Sequence, residues 1–138
     1  KKMLRTYNDI FRNGMSELSD SFAIGNATQM HHIFPASEFP KIADCVENII
    51  ALTPTQHFSY AHPNNNTRYI DKQYQYLCLV SKTGSIRDNL LNNNAEPIIY
   101  DFYLYQTVLN AGFNTEEFFE IQEMDFDGIL NRIERYYI

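Results

Sequence analysis

The chain has 138 residues, 44% of them hydrophobic and 14% aromatic, which suits one domain with a core of its own. Its net charge is −6, and its two cysteines, Cys45 and Cys78, do not suggest a secreted disulfide framework. Apolar runs of only a few residues fall far short of a membrane span, no secretory leader is visible, and a cytoplasmic protein is expected.

Leu4, Tyr7, Ile10 and Phe11 fall at helical spacing, which predicts a helix over residues 3–13 ended by Gly14. Gly25-Asn26 signals a turn before a short strand from Ala27 to Ile33. Residues 35–47 read as a loop punctuated by Pro35 and Pro40, and the apolar run Val46 to Leu52 as a second strand. Thr53-Pro54 supplies an N-cap and a proline at the first helical position, for a helix to about Ala61 that stops before Pro63. Asn64-Asn65-Asn66 and Asn92-Asn93-Asn94 are loops. Between them Tyr69, Lys72, Tyr76 and Leu79 predict a helix over 68–81. Gly84 breaks it, leaving Ile86, Leu90 and Leu91 to a short second helix. Pro97 opens an apolar helix from about Ile98 to Leu109, closed by Gly112. Asn114-Thr115-Glu116-Glu117 caps a helix to about Gln122, and Asp125 starts the last one, with Ile129, Ile133, Tyr136 and Tyr137 on one side.

All four histidines fall in the strand, loop, strand, helix stretch MHHIFPASEFPKIADCVENIIALTPTQHFSYAHP, residues 30–63. Neighbouring side chains on a strand point to opposite faces, so His31 and His32 divide two roles. One can hold a metal while the other faces a water. A neutral imidazole, with a pKa of about 6.5, suits a general base near neutral pH.

The His31-His32 pair, Asn48 and His57 resemble the signature of the HNH (His-Me finger) endonucleases. His-His-Ile-Phe-Pro is similar to that family's HHI-x-P box, and Glu-Asn-Ile-Ile-Ala-Leu-Thr to its EN-apolar strand. The gaps are also similar, 16 residues from His32 to Asn48 and nine from Asn48 to His57. The resemblance covers residues 22–65, about a third of the chain. It implies an α+β fold with a ββα-metal core, two short antiparallel strands and a helix, over 22–65. That core would be embedded in a single mainly α-helical domain, 1–138, with 66–138 as a helical flank.

The resemblance further implies catalytic His32 and Asn48, His32 as general base and Asn48 holding the loop that aims it. His31 and His57 become ligands to one divalent metal ion, Mg2+ or Mn2+, with Zn2+ or Ni2+ as the choices imidazole itself favours. The implied reaction is cleavage of DNA to 5′-phosphate and 3′-hydroxyl ends, in a restriction or phage-defence system. The partner is DNA, with no membrane, and the protein is a homodimer or part of a larger nuclease chain. The opening Lys1-Lys2, in place of an initiator Met, is what a piece of a longer chain would show. Colicin-type DNases of the family carry a third histidine four residues after the helix one. Here His62 is five after His57, about 140° around a regular helix, so a ligand role requires the helix to fray.

Acidity sits awkwardly with a nuclease, but it is uneven. Residues 96–138 carry nine acidic and two basic side chains, whereas residues 31–95 carry five of each and residues 1–30 carry three acidic and four basic. Arg68, with Lys41 and Lys72, is the expected contact to backbone phosphates. Lys82 and Arg87 extend a conceivable basic groove, although scattered solvent-facing charges are the simpler reading of each. The competing function is a non-catalytic nucleic-acid-binding or assembly module, with a structural zinc on Cys45, His31, His57 and His62. It leaves His32 unexplained. Phe102, Tyr103, Tyr105, Phe118, Phe119, Tyr136 and Tyr137 read as core or subunit interface rather than as a base-stacking platform.

Overall fold

The computed structural model describes residues 1–58, 71–92 and 95–138. Within them a two-stranded antiparallel sheet and five helices form a mixed, mainly helical fold. The elements are α1 (Lys2–Phe11), β1 (Gln29–His32), β2 (Ile49–Leu52), the single turn α2 (Pro54–Gln56), α3 (Lys72–Leu91), α4 (Phe102–Phe113) and α5 (Phe126–Glu134). The predicted continuation of α2 to Ala61, the Asn64-Asn65-Asn66 loop, Tyr69, Asn93 and Asn94 lie outside the described residues. No helix among the described residues is long and apolar enough to cross a membrane.

β1 and β2 pair in the register Gln29 with Leu52, Met30 with Ala51, His31 with Ile50 and His32 with Ile49. All four residues of β2 are buried, which is why its sequence is a continuous apolar run rather than an alternating one. The strand starts three residues later than expected. Val46–Asn48 forms a 3-10 turn instead, because Asn48 N donates to Cys45 O at 2.9 Å and its side chain is committed to the loop.

α1 docks through Leu4, Tyr7 and Asn8. α1 ends at Phe11, two residues before the expected bound, and Asn8 Nδ2 donates to Met15 O (3.0 Å) across the turn that follows, where Asn13 (φ +56°) and Gly14 (φ +68°) are both left-handed. The next residues grip β2. Glu17 N donates to Ala51 O (3.0 Å), and its carboxylate accepts from Ala51 N (2.7 Å). The same carboxylate takes the ammonium of Lys82 from α3, at 3.0 and 3.2 Å, and Lys82 also donates to the Tyr100 hydroxyl (2.6 Å). Lys82 is fully buried, so it is neither a groove cation nor a solvent-facing charge. Burial pushes its pKa down and Glu17 opposes that shift, as a buried ammonium requires.

Three boundaries in the helical part differ from expectation. α3 runs unbroken through Gly84. A helical glycine costs only about 1 kcal/mol relative to alanine, and the burial of Cys78, Leu79 and Ile86 around it outweighs that. α4 starts at Phe102, capped by Asp101, which accepts from Leu104 N (2.8 Å). Ile98–Tyr100 is instead held irregular by Asn89 Oδ1, which accepts from Ile99 N (3.0 Å) and Tyr100 N (3.3 Å). Gly112 lies inside α4 rather than ending it. A Cβ there would run into the Phe34 ring, while Asn114, at φ +55°, closes the helix.

Beyond α4 a 3-10 turn over Glu117–Glu120 replaces the helix predicted to Gln122. α5 starts as expected, capped by Asp125, with Ile129 and Ile133 fully buried, but it ends at Glu134, short of Tyr136 and Tyr137. The aromatic stripe divides. Phe102, Tyr105 and Phe118 are core, but Tyr103 and Phe119 are exposed and stacked on each other at 5.3 Å.

Candidate functional site

β1 delivers His31 and His32, and the residues just after them are clasped from three directions. Ile33 N donates to Asn48 O (2.8 Å), and Gln75 of α3 donates to Ile33 O (2.9 Å). The fully buried Asn48 side chain holds both main-chain groups of Phe34, accepting from its N (2.9 Å) and donating to its O (3.0 Å). A side-chain amide can satisfy one N–H and one C=O at once, which an acid or an apolar residue cannot.

His32 Nε2 lies 2.9 Å from Ala43 O. A carbonyl only accepts, so Nε2 carries the proton and Nδ1 holds the lone pair of the neutral ring. Burial lowers the pKa of this half-buried histidine below its ordinary value, against the Ala43 hydrogen bond, which raises it.

His57 arrives from the other side of the sheet's connection. Thr53 and Gln56 form a capping box: Thr53 Oγ1 accepts from Gln56 N (3.2 Å) and Gln56 Oε1 accepts from Thr53 N (3.0 Å). The buried Gln56 also donates to Leu18 O (2.8 Å) and Asp20 Oδ1 (2.9 Å), and Thr53 Oγ1 donates to Phe22 O (2.7 Å). This turn is therefore bolted to residues 16–22, and His57 directly follows it. The His57 and His31 rings meet edge to face with centroids 5.1 Å apart. Two imidazoles on one tetrahedral ion, each with a metal–nitrogen distance of about 2.1 Å, would place their centroids roughly 5 Å apart. The observed separation is of that size, which is also that of an ordinary edge-to-face ring contact.

His31, His32 and His57 all line one cavity of about 240 Å³, with Lys1, Met30 and Ser37. Strand alternation alone predicts opposite faces for His31 and His32. They share a cavity because β1 ends at His32 and the chain turns there. A second cavity of about 470 Å³ adjoins the first through Lys1, Met30 and His57 and is lined further by Lys2, Arg5, Thr28 and Gln29.

The remaining expected residues fall elsewhere. Lys41 and Lys72 are exposed, but neither lines these cavities. Lys72 borders a separate aromatic pocket with Phe34, Phe113 and Tyr136. Arg87 is exposed and paired with Asp88 at 3.3 Å. His62 and Arg68 lie outside the described residues. Cys45 packs against the core, and burial raises its thiol pKa, with Glu47 and Asp44 adding to the effect. Cys45 lines neither histidine cavity, which leaves it apart from His31 and His57. No group of three or more His, Cys, Asp or Glu placed to hold a metal is found among the described residues. Among the described residues, the cations that line these cavities are Lys1, Lys2 and Arg5. The only sequence signal for them is the modest excess of basic over acidic residues in the first 30.

Glu47 is buried beside Asn48. Its carboxylate accepts from Asp101 N (2.9 Å), tying the loop to the start of α4. Burial raises its pKa, opposed by that hydrogen bond. The chain matches no protein-family model, and no curated protein or solved structure shows significant similarity to it.

Proposed function

We propose that this chain is a metal-dependent endonuclease of the HNH type that hydrolyses DNA phosphodiester bonds, with β1, β2 and α2 as its ββα-metal core. The observation that carries the reading is the convergence of His31 and His57 to 5.1 Å beside a His32 whose tautomer is set by Ala43 O. His31 and His57 would hold one divalent ion, which when bound would supply Lewis-acid stabilisation to the phosphate and the leaving oxygen. His32 Nδ1 takes a proton from the attacking water. As the new P–O bond forms, the P–O3′ bond breaks, and the released 3′-oxyanion takes a proton from solvent water, leaving a 3′-hydroxyl and a 5′-phosphate. Asn48 acts through the loop: it holds Phe34, and thus the turn after His32, in place. The lowered pKa of His32 keeps it neutral and able to accept that proton near pH 7.

Plasmid cleavage tests this directly. Supercoiled DNA should be nicked or linearised with Mg2+ or Mn2+ and left intact in EDTA. His32→Ala should lower the rate by about 10²- to 10⁴-fold, the usual worth of a general base. Cleavage undiminished by that substitution, or absent with Mg2+, Mn2+, Zn2+ and Ni2+ alike, would overturn the reading.

A further inference from the structure

The two cavities at the histidines share Lys1, Met30 and His57, and the charge of their described lining is opposite to that of the protein. Seventeen of the 138 residues are acidic and the net charge is −6, yet no Asp or Glu appears among the described residues lining either cavity. The charged side chains there are Lys1, Lys2 and Arg5, placed beside His57.

We infer that Lys1, Lys2 and Arg5 form the seat for the DNA sugar-phosphate backbone, on the His57 side of the scissile phosphate. This rests on the nuclease reading above and moves phosphate binding away from Lys41 and Lys72. Lys2 and Arg5 are three residues apart on α1, a spacing that puts two side chains on one face. The helix is docked by Leu4, Tyr7 and Asn8, so the strip sits at a fixed place relative to β1. Arg5 is braced further, with one guanidinium nitrogen donating to Thr28 O at 2.7 Å. A guanidinium has five N–H donors, so others remain for a phosphate. The lysine ammonium groups add point charges along the same wall.

Each phosphate neutralised by such a cation releases condensed counterions, so the dependence of binding on salt counts the contacts. The experiment is fluorescence-anisotropy titration of a short labelled DNA duplex in EDTA, which prevents cutting, over a series of KCl concentrations. Lys2→Ala and Arg5→Ala should each flatten the plot of log Kd against log salt by about one unit of slope, and the double variant by about two. Arg5→Lys should keep most of the slope, because the charge remains. Arg135→Ala, an exposed change after α5, should leave it as in wild type. A double variant with the wild-type slope, or no duplex binding by wild type at low salt, would overturn the seat. The two readings fail separately. Wild type that cuts plasmid while the double variant keeps its slope sinks the seat alone. His32→Ala that still cuts, with the slopes falling as expected, sinks the base assignment alone.

Discussion

Between Ser16 and His57, side chains are fastened to main chain: Asn48 to Phe34, Gln56 to Leu18, Thr53 to Phe22 and Glu17 to Ala51. Between Ile98 and Tyr137, rings pack on rings: Phe102 on Phe126, Phe113 on Phe118, and Phe113 on Tyr136 at 4.2 Å. Hydrogen bonds weaken steeply with angle, so they set orientation. Apolar burial is non-directional and supplies mainly stability. The half that carries the histidines thus leans on aim and the helical half on cohesion, where Gln106 and Asn110 add hydrogen bonds to the main chain of Phe118. The contacts that join them include the Glu17–Lys82 ion pair, the hydrogen bond from Asp101 N to Glu47, and the close approach of Gly112 to Phe34.

The largest effect is expected at the first of these contacts. Lys82→Met leaves Glu17 buried without its cation and should cost about 3–5 kcal/mol in urea unfolding. A loss of about 1 kcal/mol or less, the size of an exposed pair, would mean that the pair does not join the halves. Asn48→Ala comes next. It strands the buried N–H and C=O of Phe34 and should destabilise by about 2–3 kcal/mol. Unlike Lys82→Met, it should also depress plasmid cleavage in conditions where the protein remains fully folded by circular dichroism. Equal specific activity of the folded variant would remove Asn48 from the aiming machinery. Gly112→Ala should have the smallest effect, about 1–2 kcal/mol, since the added methyl overpacks against the Phe34 ring. An unchanged melting temperature would show that this contact is loose.

The aiming half was far more legible in the sequence than the cohesive half. Thr53-Pro54 with Gln56 announces a capped turn locally, and the histidine spacing predicts His31, His32 and His57, which do line one cavity; Asn48 does not line it but is buried against Phe34, and His62 lies outside the described residues. Those signals depend on neighbours in the chain. Gly84 and Gly112 depend on neighbours in space. One is carried along by a helix buried around it, and the other is required by a ring nearly 80 residues away in sequence. Lys82 misled for the same reason, because nothing near it in sequence reveals Glu17 or Tyr100. The cationic strip of α1 carries little local signal, because Lys1, Lys2 and Arg5 lie far from the motif in sequence and only the fold brings them beside His57.

The division of labour among the three described histidines is the central claim, and metal titration tests it without relying on turnover. Isothermal calorimetry of wild type with Mn2+ should give one ion per chain. His57→Ala should lose that binding, whereas His32→Ala, which removes a base and not a ligand, should retain it. Binding that survives His57→Ala, or disappears with His32→Ala, would contradict the assignment.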